Sequence, residues 1–122
     1  MPTRVLIADD HTLFAEALEA ILATDDRIAV VGRAKNGEEA VELAGSLRPD
    51  VVLMDISMPV MDGIEATGRI TAVDEDAVVL VLTGSDSPRD VDAARRAGAT
   101  GYVTKDRIAA ELVQAILAAA EK

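Results

Sequence analysis

Val51-Val52-Leu53-Met54-Asp55, followed by Ile56-Ser57-Met58-Pro59-Val60-Met61-Asp62-Gly63, is the stretch from which the rest of the chain is read. Four consecutive apolar residues leave no face for water, so Val51–Asp55 reads as a strand buried on both sides, as in the middle of a parallel sheet. Asp55 stands at its exit. In open parallel α/β sheets ligands bind beyond the carboxyl ends of the strands, which places this acid where chemistry is done. A lone Asp after a strand is more simply a turn cap, so its neighbours must decide.

Upstream, Val5–Ala8 is a short apolar strand ending at Asp9-Asp10-His11, and Leu13, Ala17, Leu18, Ile21 and Leu22 then recur at helical spacing. Ile28–Val31 is a second strand. Asn36 with Glu39 three residues on forms a capping-box variant before the stripe Ala40, Leu43, Ala44 and Leu47, and Pro49 ends that helix. Downstream, Ile64, Thr67, Ile70 and Thr71 trace a third helix weakened by Gly68. Ala77–Leu82 is a fourth strand, Ser87-Pro88 opens a fourth helix that ends near Gly98, Gly101–Thr104 is a brief fifth strand, and Asp106–Ala120 is the last helix. Five strands alternating with five helices predict a single (βα)5 α/β domain over residues 1–122, doubly wound and parallel, with strand order 2-1-3-4-5. No output domain is expected within this chain.

In that order the strand ends bring Asp9, Asp10, Asp55, Thr83 and Lys105 to one switch point. Two carboxylates about 5 Å apart repel by roughly 3 kcal/mol at an effective dielectric near 20, so three of them call for a cation. Oxygen donors without a dedicated cage suit Mg²⁺, which keeps waters and can share an incoming phosphate. A carboxylate can attack phosphorus to give an acyl phosphate, with Lys105 neutralising the phosphoryl group and the Thr83 hydroxyl donating to it.

Composition narrows the possibilities. The 22 acidic against 12 basic residues give a net charge of -10, which repels a nucleic-acid backbone and an anionic membrane surface alike. With no cysteine, disulfides and thiolate metal sites are excluded. No apolar run approaches the ~18 residues of a membrane span. A cytoplasmic location is the expectation.

Ala8-Asp9-Asp10-His11, Leu53–Gly63, Leu82-Thr83-Gly84 and Ala97–Asp106 together resemble the receiver domain of two-component response regulators, the CheY-like family. The resemblance implies a phosphoacceptor at Asp55, a direct Mg²⁺ ligand at Asp10, support to the metal from Asp9 through water, and a further ligand in the backbone carbonyl of Ser57. It also implies a switch pair, Thr83 and Tyr102, and a phosphate-binding Lys105. Most receivers place a proline after that lysine; here Asp106 follows. Asp-Asp-His and Gly-Tyr-Val-Thr-Lys-Asp resemble the NarL/FixJ subfamily, which implies a sensor histidine kinase as donor, phosphorylation-dependent homodimerisation, and control of transcription through a DNA-binding output domain outside this chain.

Several residues have plainer readings. Mg²⁺ prefers oxygen, so His11 reads as an exposed loop imidazole. Met54 reads as core, Met58 and Met61 as loop packing, Asp62 as a helix cap and Arg95-Arg96 as a solvated face. The broad apolar stripe of the last helix, from Ile108 through Ala120, is either a partner surface or Ala-rich helix propensity. The rival function is a Mg²⁺-dependent aspartyl-phosphate phosphatase or phosphotransferase acting on a small molecule. Haloacid-dehalogenase-type enzymes, however, carry D-x-D-x-T after the first strand, where this chain has adjacent acids. Flavodoxin-like cofactor binding would need a Ser/Thr/Gly phosphate loop at the place that Asp9-Asp10-His11 occupies.

Overall fold

In the computed structural model, which describes residues 2–84 and 87–121, the apolar runs pair as parallel strands β1 (Thr3–Ala8), β2 (Ile28–Ala34), β3 (Val51–Asp55), β4 (Val79–Thr83) and β5 (Gly101–Thr104). Their order is β2-β1-β3-β4-β5, as the sequence predicts. Helices α1 (Thr12–Ala23), α2 (Gly37–Leu47), α3 (Gly63–Val73), α4 (Pro88–Arg96) and α5 (Ile108–Ala120) alternate with them.

Period-two alternation divides the core. Val5, Ile7, Val51, Leu53, Leu80 and Leu82 pack against Leu18 and Leu22 of α1 and Leu112 and Ile116 of α5. Leu6, Ala8, Val52, Met54, Val79 and Val81 face the other layer, against Ala40 of α2, Ala66 and Ile70 of α3, and Ala94 of α4. Each fully buried aliphatic side chain contributes about 1.5–3 kcal/mol of transfer free energy, so β3, buried along its whole length, anchors both layers. The breadth of the α5 stripe belongs largely to this core: Ile108, Leu112, Ile116 and Ala119 are buried, with Val113, Ala115, Leu117 and Ala120 packed partly against them.

Besides β1, which starts at Thr3 rather than Val5, and β4, which ends at Thr83 rather than Leu82, four boundaries differ from the sequence reading for a local reason. β2 runs on to Ala34, past Gly32, because a register shift between Val5 and Leu6 of β1 lets Val31 bulge and pairing resume at Gly32. β4 starts at Val79, since Ala77 N–H is turned back onto the Asp74 carbonyl (3.1 Å). A 3₁₀ turn, Lys105–Arg107, precedes α5, which therefore begins at Ile108. α2 stops one residue earlier than Pro49 alone requires, with Arg48 left-handed (φ 48°) and its carbonyl accepting from Arg4 Nη1 at 2.8 Å.

The caps follow the sequence more closely. Asn36 accepts from Glu39 N–H at 2.8 Å, while the Glu39 carboxylate accepts from Lys35 N–H at 3.0 Å, one residue outside the usual reciprocal pair. Asp62 accepts from Glu65 N–H at 2.8 Å and opens α3. Ser87 occupies the N-cap of α4 with Pro88 in the first turn, though its hydroxyl makes no capping bond.

The segment from Ile56 to Asp62 is closed by its own backbone. Gly63 N–H donates to Ile56 O at 2.8 Å, Met61 N–H to Pro59 O at 2.7 Å, and Gly37 N–H to Met61 O at 3.0 Å. Glycine is needed at both contact points: a Cβ on Gly63 would lie 2.0 Å from the Asp55 carbonyl oxygen, and one on Gly37 2.2 Å from that of Met61. The Met61-to-Pro59 bond spans two residues around Val60, whose φ is 69°. This is the rare, strained γ-turn, here centred on a β-branched residue that is 77% exposed. Val60→Gly should therefore stabilise the protein by about 1 kcal/mol, read as a higher denaturant midpoint at constant slope. A lower midpoint would show that the turn costs nothing.

Candidate functional site

β1 and β3 are neighbours in register, Ala8 beside Met54, so the residues that follow each strand emerge side by side. Asp9 and Asp55 are buried, with 4% and 2% of their surfaces exposed, although both are acids. Asp9 Oδ1 accepts from the His11 main-chain N–H at 2.8 Å, which fixes the turn into α1. From the far side of the sheet, Lys105 Nζ reaches within 3.2 Å of Asp55 Oδ1. The same ammonium lies 4.8 Å from the centroid of the Phe14 ring, a cation–π contact that holds the lysine over the first turns of α1.

Buried charge dominates the electrostatics. Burial raises the Asp55 carboxyl above the ordinary carboxylate range and the nearby charge of Asp9 raises it further, while Lys105 and the Ser57 N–H act in the opposite direction. Asp9 Oδ2 and Asp55 Oδ2 are both buried without a hydrogen-bond partner among the described residues. Orphaned carboxylate oxygens converging in one crevice are the donor set of a hard, oxygen-seeking cation, so the residues present fit Mg²⁺. Asp9, Asp10, His11 and Asp55 each offer a ligand atom, all within 4.8 Å of one another.

Asp9, Asp10, Asp55 and Lys105 thus come together as the sequence predicts. Ser57 is exposed beside them, with its N–H turned to Asp55. Thr83 is buried at the end of β4, one residue past Leu82, which pairs with Asp55. Tyr102 pairs with Val81, two residues before Thr83 on the same face of β4, and the residue is 40% exposed. A half-open cavity of about 450 Å³ lies beside it, its lining including Gly84, Thr104, Asp106, Arg107 and Glu111.

Sequence reasoning missed two contributions and passed over a third. Phe14 has no part in the sequence reading, although its place in the first turns after Asp10 is a signal that it can meet a residue at the switch point. Gly37 carried no signal, because its contact is with a loop far away in sequence. His11 is 64% exposed through its side chain, as expected of a loop imidazole, yet its Nδ1 is turned in toward the acids.

A family model described as the response regulator receiver domain matches residues 5–117. Among similar proteins, the response regulator GacA of Pseudomonas viridiflava is 42% identical over 113 residues, covering 93% of this chain and 53% of its own length. The transcriptional regulatory protein DegU of Brevibacillus brevis is 40% identical over 118 residues, covering 97% of this chain and 50% of its own. This chain spans about half the length of these curated relatives. Among solved structures, the signal receiver domain of NarL from Mycobacterium tuberculosis superposes with a TM-score of 0.93 at 36% identity, covering 98% of this chain and 97% of that one. A doubly wound sheet in the order 2-1-3-4-5, with an acidic crevice at its switch point, is thus joined by likeness along nearly the whole sequence, and the chain belongs to the response regulator receiver domain family.

Proposed function

We propose that Asp55 accepts a phosphoryl group from a sensor histidine kinase and that the modified crevice resets an output surface through Thr83 and Tyr102. The observation that carries this reading is Lys105, which crosses from the end of β5 to lie 3.2 Å from a carboxylate buried among other acids. In the transfer, an Asp55 oxygen attacks phosphorus, the P–N bond of the phosphohistidine breaks, and the imidazole leaves with its electron pair and takes a proton. Lys105 is already placed to neutralise the charge that arrives with the phosphoryl oxygens. Asp9, Asp10, Asp55 and the Ser57 carbonyl would hold Mg²⁺, which when bound supplies positive charge to the carboxylates and to the phosphoryl group.

The chain's own chemistry, on this reading, is confined to gaining and losing that group. Thr83 would donate its hydroxyl to the phosphoryl group, and its movement toward that group would vacate space for the Tyr102 ring to turn inward. Only the state in which Thr83 reaches the phosphate is stabilised, so phosphorylation shifts a population. The relative DegU is a transcriptional regulatory protein by name, which supports control of transcription as the output; a DNA-binding output domain and a phosphorylation-dependent homodimer complete the proposal. Direct nucleic-acid binding by these residues is disfavoured by the net charge of -10.

With acetyl phosphate and Mg²⁺, intact mass spectrometry should find one phosphoryl adduct on the wild type and none on Asp55→Asn. An adduct of equal rate on the variant would move the phosphoacceptor elsewhere.

Because the folded-state pKa of Asp55 is raised, its protonated form stabilises the fold below the ordinary carboxylate pKa, and that contribution is lost as pH rises through the raised value. Metal-free wild type should thus lose stability on going from acid toward neutral pH relative to Asp55→Asn, and Asp55→Asn should melt higher at neutral pH. Parallel pH profiles for the two proteins would contradict the raised pKa.

Thr83→Ala should still take the phosphoryl group yet leave the fluorescence of Tyr102, the only tyrosine in a chain without tryptophan, unchanged on phosphorylation. The same fluorescence change in variant and wild type would route the signal away from Thr83.

A further inference from the structure

Lys105 has a second partner whose part in the chemistry the carboxylate alone does not explain. Its side chain is a flexible four-carbon stem, 31% exposed, that leaves a 3₁₀ turn at the end of β5. Such a stem ordinarily carries its ammonium out to water. Here the Nζ lies 3.2 Å from Asp55 Oδ1 and, over the face of the Phe14 ring, 4.8 Å from the ring centroid. An ammonium within about 6 Å of a ring centroid is attracted by the negative charge of the π face.

The reaction treats the two partners differently. When an Asp55 oxygen bonds phosphorus, the carboxylate becomes an acyl phosphate and its negative charge passes to the phosphoryl oxygens, so the present ion pair with Lys105 ends. The Phe14 ring takes part in no bond made or broken. Its place is also fixed. Phe14 is the third residue of α1, half-buried and packed against the layer that includes Leu18, Leu112 and Ile116. Val103, two residues before Lys105, belongs to the same layer, so ring and ammonium approach the crevice from one side of the sheet.

We propose that Phe14 is a positioning residue for phosphoryl transfer, its π face anchoring the Lys105 ammonium while that ammonium turns from the Asp55 carboxylate to the incoming phosphoryl oxygens. The proposal rests on Asp55 as the phosphoacceptor. With acetyl phosphate as donor, the Asp55 oxygen forms a bond to phosphorus, the bond from phosphorus to the acetyl oxygen breaks, and acetate leaves with the electron pair. The ammonium keeps its protons throughout and supplies charge alone. A ring held by the core restricts the ammonium before the donor arrives, so that freedom need not be lost at the transition state. An aliphatic side chain at position 14 would fill much of the same space and leave Lys105 free to turn toward solvent.

The chain has a single phenylalanine, so producing it with ring-fluorinated phenylalanine alters position 14 alone. Fluorine draws charge from the π face and adds little volume. The measurement is the rate of adduct formation with acetyl phosphate and Mg²⁺, followed by intact mass. It compares the wild type, its mono-, di- and trifluorinated forms, Phe14→Leu, Lys105→Ala and the double variant. Thermal melting checks folding, and should Phe14→Leu fail to fold, the fluorinated series decides.

The expected result is a rate that falls with each added fluorine and is about 2- to 30-fold lower in Phe14→Leu, the factor that corresponds to a cation–π contact of ordinary strength. In the Lys105→Ala background, Phe14→Leu should change nothing further. Proton NMR reads the same contact without phosphorylation: the Lys105 ε-methylene, shielded by the ring in the wild type, should move downfield in Phe14→Leu. Equal rates across the fluorinated series overturn the proposal. So does a Phe14→Leu loss that persists undiminished beside Lys105→Ala, which would make the ring a packing residue only, or an ε-methylene signal that Phe14→Leu leaves in place. A wild type that takes up no phosphoryl group would sink the phosphoacceptor reading itself, and the proposal with it.

Discussion

Two buried carboxylates close enough to repel, Asp9 and Asp55, with one ammonium between them and solvent, set the terms for the rest of this structure. Folding alone would not select that arrangement, since removing charge from water is costly unless it is paired, and one lysine cannot neutralise three acids. The sheet makes it possible. β1 and β3 are neighbours with their carboxyl ends aligned, so acids that follow two separate apolar runs must emerge together. The aliphatic layers above and below hold those ends firmly enough that the repulsion is stored rather than relaxed.

The order of the strands follows from patterning that any reader of the chain can see. Continuous apolar runs of four or five residues separated by helical stripes leave little beside a parallel sheet wrapped on both faces, and that in turn dictates which strand ends meet. Asp9, Asp10, Asp55, Thr83 and Lys105 could be placed from sequence because each terminates or follows such a run. What pattern could not supply was tertiary. The bulge at Val31 depends on the β1 partner, the shielding of Lys105 on a ring from α1, and the need for glycine at position 37 on a carbonyl more than twenty residues away. The inward turn of the His11 nitrogen is similar, since a loop imidazole's direction is set by what surrounds it.

α5 illustrates the opposite limit. Its apolar stripe is visible in sequence and its width invited a second use, yet amphipathic width alone does not say how much of a helix a neighbouring sheet will cover. Here the sheet covers most of it. The aromatic left at the surface is instead Tyr102, on a strand only four residues long.

The glycines around the crevice divide its rim unequally. On one flank, Gly37 and Gly63 let backbone press on backbone, so the start of α2, the loop after β3 and the start of α3 are riveted into a single plate. On the other, a side chain at Gly84 would meet nothing within 4 Å among the described residues. The close backbone contacts therefore gather on the α2–α3 flank, while the exit of β4 has space around its glycine. If phosphorylation of Asp55 displaces backbone, as proposed above, the β4 flank offers it less steric resistance than the α2–α3 flank does.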